Sequence, residues 1–220
     1  MPGTGSDAYF ARRAFGPASA AAGLDFVAVD PDPDAVIESY RTALDDAAAR
    51  GPVLAAGISL GAAVAVEWAA DRDPAGISGV VAALPAWTGP DTAQCPATHS
   101  AAATAAQLRA DGLEPVLARM RASSPGWLAD ALTRSWRSQW PGLPGALEEA
   151  AQYKWPEAAL LESLDVPLAV IAAADDPVHP VTVGREWARL APRSVLTELT
   201  LDEFGADPGI LGRLALSHLG

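Results

Sequence analysis

Cysteine is nearly absent from this chain of 220 residues: Cys95 stands alone, so no internal disulfide can form and nothing asks for an oxidising compartment. Histidine is scarce as well, with three residues, and no Cys/His cluster carries zinc spacing. Positive charge is in short supply: 15 basic against 27 acidic side chains leave a net charge of −12 and a pI near 4.5. With no basic stripe anywhere, nucleic acid and anionic membrane surfaces are excluded as expected partners. Long apolar runs are missing too. The uncharged stretch over residues 51–66 falls short of the ~20 residues a membrane helix needs, and Gly57 and Ser59 interrupt it. No apolar h-region or small-residue cleavage site opens the chain, so a cytoplasmic protein is expected. There is no Walker loop. Gly3-Thr4-Gly5 lacks both a preceding strand and the third glycine of a dinucleotide site. Neither a metal nor a cofactor is expected.

What the chain has in plenty is apolar surface. Hydrophobic residues make up 50% and charged residues 19%, too apolar a balance for disorder. The length fits one domain that buries roughly 70–75% of its unfolded surface. Apolar, β-branched runs alternate with alanine-rich helical ones. Leu24 to Val29 reads as a strand, stopped by Asp30, Pro31, Asp32 and Pro33. Asp34 then caps a helix through Arg50, with Val36, Ile37, Tyr40 and Leu44 at helical spacing. Strands follow over Pro52–Ile58 and Ile77–Leu84, around a helix over Leu60–Ala70. From Thr88 to about Leu164 the rhythm breaks into helical segments and prolines, with Trp87, Trp127, Trp136, Trp140 and Trp155 at or inside the break. The alternation resumes with strands over Val166–Ala172 and Val195–Leu201, around a helix over Val181–Leu190, and ends in a helix from Pro208 to Leu219. Continuously apolar strands separated by helices predict a mostly parallel sheet covered on both faces, with a helical insert as a lid.

One pentapeptide carries chemistry. Gly57-Ile58-Ser59-Leu60-Gly61 is G-x-S-x-G between a predicted strand and a predicted helix. In that setting the glycines permit a sharp turn that lifts the serine Oγ above the sheet, at a helix N-terminus whose amides favour an oxyanion. The plainer alternative is a glycine-rich turn in which Ser59 only caps the helix.

With this motif the chain resembles the α/β-hydrolase fold family along nearly its whole length. The resemblance implies roles for further segments in the expected order. Pro2-Gly3-Thr4-Gly5-Ser6-Asp7 is similar to the family's glycine-rich oxyanion loop, and the amides of Thr4 and Leu60 would hold the oxyanion; a flexible N-terminal arm is the alternative. The insert stands where the family places its cap. Ala172-Ala173-Ala174-Asp175-Asp176-Pro177 stands where the family's acidic member lies, with Asp176 the better match and Asp175 its substitute, or else a plain Asp-Asp-Pro turn. The family's histidine belongs after the last strand, where this chain reads Glu203-Phe204-Gly205-Ala206-Asp207-Pro208, with alanine at the expected place. A serine without an imidazole is a poor nucleophile at neutral pH.

His179, three residues after Asp176 and between Pro177 and Pro180, is the best available base, unless it merely lines the pocket or caps the next helix. His99 would have to descend from the lid, and His218 reads as surface. The family also has a central strand ahead of the oxyanion loop, between the neighbours matching Leu24–Val29 and Pro52–Ile58. Here only Met1 precedes Pro2, so the fold's N-terminal strands are missing from this sequence. Two exposed rows of backbone groups then predict either that the true chain begins upstream, in which case this chain should be poorly soluble or homo-oligomeric, or that the flanking strands close on each other. The tryptophan-rich insert favours an apolar or aromatic acyl substrate, or is simply a helical core. Arg134 and Arg137 could meet a carboxylate or form a solvated face. The expectation is a cofactor-free hydrolase of a small carboxylic ester or thioester, with Ser59, Asp176 and His179 catalytic. The alternative is a non-catalytic binding protein of the same fold, with Ala206 in place of the base.

Overall fold

The computed structural model describes residues 1–219. Its strands are β1 (Val53–Ile58), β2 (Ile77–Ala83), β3 (Leu168–Ala173) and β4 (Ser194–Leu199), paired in parallel in that order. Period-two alternation decides which face each residue serves. Val80, Ala82, Leu168 and Val170 point into one core with α2 (Val36–Ala48), α3 (Leu60–Ala70) and α9 (Val181–Leu190). Their alternates Val81, Ala83, Ala169 and Ile171 enter a second core with α1 (Ala8–Ala21), α10 (Leu201–Ala206) and α11 (Ile210–Leu219). A strand apolar at every position therefore has both faces covered, as expected from the runs.

Between β2 and β3 the chain forms α4 (Pro96–Asp111), α5 (Leu113–Ser123), α6 (Gly126–Gln139), α7 (Leu143–Gln152) and α8 (Ala158–Glu162). Leu108, Leu117, Trp136, Leu143 and Leu147 give this insert a core of its own. Among the described residues no helix is long and apolar enough to cross a membrane.

Three expectations are corrected. Leu24–Val29 is extended but forms no strand: Val27 is 53% and Leu24 43% exposed, and among the described residues the segment joins no sheet. High β propensity cannot make a ladder without a partner. It does not close against β1 either. The outer edge of β1 meets Met1 instead, whose nitrogen donates to the Ala56 carbonyl at 2.6 Å while the Ile58 amide donates to the Met1 carbonyl at 3.2 Å. Next, α2 starts at Val36, and Asp34 does not cap it. The Glu149 carboxylate of α7 accepts from the amides of Val36 and Ile37 at 2.7 and 3.0 Å, where an anion also suits the helix dipole. Last, β4 stops at Leu199, two residues before the expected strand end, because Thr200 and Glu203 form a reciprocal capping box that starts α10 at Leu201.

Candidate active site

Ser59 sits in the turn from β1 to α3 at φ 53° and ψ −114°, a conformation side-chain-bearing residues seldom adopt. Close packing leaves the turn no alternative. A Cβ on Gly57 would lie 2.1 Å from the carbonyl carbon and oxygen of Gly61, and one on Gly61 would lie 2.6 Å from the Pro2 carbonyl oxygen. The Ser59 amide donates to the Ala83 carbonyl at 2.8 Å, tying the turn to β2. No side-chain bond from Ser59 caps α3, so its hydroxyl is free for another partner.

That partner is His179. Its Nε2 lies 2.9 Å from Ser59 Oγ, and its Nδ1 lies 2.7 Å from Asp176 Oδ2. The carboxylate can only accept, so Nδ1 carries the proton and, in the neutral ring, the Nε2 lone pair faces the serine hydroxyl. Asp176 is itself held: Oδ1 accepts from the amides of Val178 and His179 at 2.8 and 3.2 Å. Burial pushes the Asp176 carboxyl up, but the His179 contact and the two amides outweigh it and leave it below the usual carboxylate range.

The other sequence candidates divide cleanly. Asp175 is exposed and accepts from the Leu201 amide, so of the two acids only Asp176 meets the histidine. Ala206 is exposed at the end of α10 and does not line the cavity over Ser59. The segment of Ala206 coils into a helix, and the imidazole that faces the serine comes from the loop after β3. His99 is exposed and meets the Ala93 carbonyl, while His218 meets Thr197 at the surface. Arg134 pairs with Asp7 and Arg137 with Glu114.

Thr4 lies in a turn closed by the Ser6 amide on the Gly3 carbonyl at 3.0 Å, with Gly5 at φ 70°. This loop lies on the serine: a Cβ on Gly3 would come within 3.3 Å of Ser59 Cβ. Among the described residues, the amides of Thr4 and Leu60 donate to no protein acceptor. A cavity of about 720 Å³ opens over Ser59, His179 and Thr4, walled by Phe10, Met120, Trp127, Leu128, Trp136 and Leu147. Only two of the insert's tryptophans thus face it; Trp155 and Trp87 pack on the sheet core, and Trp140 is exposed. No group of three His, Cys, Asp or Glu side chains among the described residues could hold a metal ion. Sequence reasoning missed Ser135 and Gln139 of α6, which bind the Thr4 turn from the insert. Nothing in their local sequence marks them.

No protein-family model and no curated protein sequence matches the chain. Solved structures do. A hydrolase from Oleispira antarctica, olei00960, aligns with a TM-score of 0.75 at 16% identity, over 99% of this chain and 88% of its own. The enol-lactonase from Burkholderia xenovorans LB400 aligns at 0.68 and 15%, over 97% and 88%. MenH from S. aureus aligns at 0.66 and 17%, over 100% and 93%. At such identities the likeness is one of fold, and the fold is that of the α/β-hydrolases.

Proposed function

From the α/β-hydrolase fold, we propose that this protein hydrolyses a small carboxylic ester or thioester through an acyl-enzyme on Ser59. The observation that carries this is the unbroken relay from Ser59 Oγ to His179 Nε2 at 2.9 Å and from His179 Nδ1 to Asp176 Oδ2 at 2.7 Å, opening on an apolar cavity.

Ser59 Oγ attacks the substrate carbonyl carbon while its proton passes to His179 Nε2. Asp176 holds the imidazole in one tautomer and stabilises the imidazolium that forms. The carbonyl oxygen gains negative charge and is met by the amides of Thr4 and Leu60, aided by the N-terminal dipole of α3. The C–O or C–S bond then breaks, and the leaving alcohol or thiol takes the proton from His179. Water attacks the acyl-serine by the same route, and the carboxylic acid departs. The cavity wall of Phe10, Met120, Trp127 and Trp136 favours an apolar or aromatic acyl group over a sugar or a phosphate.

A non-catalytic binding protein of this fold would also keep an apolar cavity. It would gain nothing from holding a serine at φ 53°, a conformation that costs on the order of 1–3 kcal/mol. Intact mass after incubation with a small fluorophosphonate separates the two. A single adduct that Ser59→Ala loses is expected; an unmodified wild-type chain would leave the binding protein as the better account.

A further inference from the structure

Among the described residues, the polar or charged side chains of Asp7, Ser59, Ser135 and Gln139 are buried. Ser59 belongs to the relay. The other three lie where α6 of the insert grips the N-terminal segment that carries Thr4. Ser135, 1% exposed, donates from Oγ to the Gly5 carbonyl at 2.7 Å. Gln139, one helical turn on and 8% exposed, donates from Nε2 to the Ser6 carbonyl at 3.0 Å and to Ser135 Oγ at 2.8 Å, which occupies both of its amide hydrogens. Asp7 accepts from the Phe10 amide at the start of α1 and pairs with Arg134 at 3.1 Å. The Trp136 indole closes over Gly5 so tightly that a Cβ there would lie 2.9 Å from its Nε1.

Burying a polar side chain is costly unless its hydrogen bonds are made, so this placement is demanding. Its targets are two consecutive carbonyls, Gly5 and Ser6, in the turn containing Thr4. Neither bond is needed to build a helix or a strand. What they set is the orientation of the turn, and with it the direction of the Thr4 N–H beside Ser59. Donors that stabilise a developing oxyanion work only when already aimed, and a displacement of about 1 Å can cost up to ~10²-fold in rate.

We infer that Ser135 and Gln139 are positioning residues: from the insert they hold the Gly5 and Ser6 carbonyls and so aim the Thr4 amide at the oxyanion. The inference rests on the acyl-enzyme reading of Ser59. It makes the insert more than a cover for the pocket, since the helix that walls the cavity also orients part of the reacting site.

The test is steady-state hydrolysis of p-nitrophenyl butyrate by Ser135→Ala and Gln139→Met, with Tm and the second-order rate of fluorophosphonate labelling measured on the same proteins. The expected result is a fall in kcat of about 10-fold, with KM within about twofold of wild type, because the loss is confined to the transition state. Labelling should slow in parallel. The pH profile should keep its shape, as the Ser59–His179–Asp176 relay is untouched, and Ser135→Thr, which keeps the hydroxyl, should recover most of the rate. Wild-type kcat in both variants, a rise in KM with kcat preserved, or a displaced pH profile would overturn the inference. Should Ser135→Ala not fold, Gln139→Met alone decides between those outcomes. A wild-type chain that is neither labelled nor active would instead overturn the acyl-enzyme reading itself, a result distinct from active variants.

Discussion

The turns after β1 and β3 face one cavity, yet they are built on opposite principles. The first holds Ser59 by steric exclusion: Gly57 and Gly61 let backbone pack on backbone until a positive φ is the only conformation left. The second holds Asp176 and His179 with no residue at positive φ. There one carboxylate gathers the Val178 and His179 amides and the imidazole, while Pro177 and Pro180 limit the chain on either side. One turn is shaped by what cannot fit, the other by what is attracted. Substitutions should therefore fail differently in the two.

The largest effect belongs to the steric turn. Gly57→Ala would force a Cβ to 2.1 Å from Gly61 backbone atoms, so the variant should not fold, or should lose about 3 kcal/mol or more, as read from its urea midpoint. A mild loss would mean that the turn is not sterically determined. His179→Ala, in the electrostatic turn, should leave the fold in place and slow fluorophosphonate labelling on the order of 10²–10⁴-fold. Labelling at the wild-type rate would remove His179 as the base.

Asp176→Asn tests the attraction itself. A carboxylate whose folded pKa lies below its unfolded value, ~3.9, stabilises the fold above that pH and loses its contribution as pH falls through the lower folded value. The variant should therefore be less stable at neutral pH and show a flatter stability curve below about pH 4. An unchanged acid limb in urea unfolding would contradict the assigned environment. Ser59→Gly should raise stability by about 1 kcal/mol by relieving the positive φ, whereas Ser59→Ala should not, although both abolish labelling. Equal stability of the two variants would mean that no strain resides there. Asp175→Asn is expected to do least. Its carbonyl can still accept from the Leu201 amide, so activity should be unchanged and stability should move by less than about 0.5 kcal/mol.

The regular elements were largely legible because each is specified within its own segment. Val181–Leu190 and Leu60–Ala70 are helices over the residues that the spacing indicates, and the apolar runs at Val53–Ile58 and Ile77–Ala83 are strands. Legibility failed where a feature depends on a distant partner. Leu24–Val29 has the composition of a strand but no ladder to join. The N-terminus of α2 is capped from residue 149, more than a hundred positions away. Ala206 could be read as a missing base only while its segment was taken for a loop.

By itself, the sequence determined an α/β architecture with a helical insert, the G-x-S-x-G turn, and a short set of ionisable candidates. These follow from local steric preference and from periodicity, which need no knowledge of the rest of the chain. Only the tertiary structure decided that His179 rather than a residue near Ala206 meets Ser59, that Asp176 rather than Asp175 meets His179, and that Ser135 and Gln139 reach the Thr4 turn. Each of those choices is a contact between side chains or loops made only when β1, β3 and α6 pack together. A hydrogen bond is settled within a few tenths of an ångström, a precision that sequence spacing does not carry.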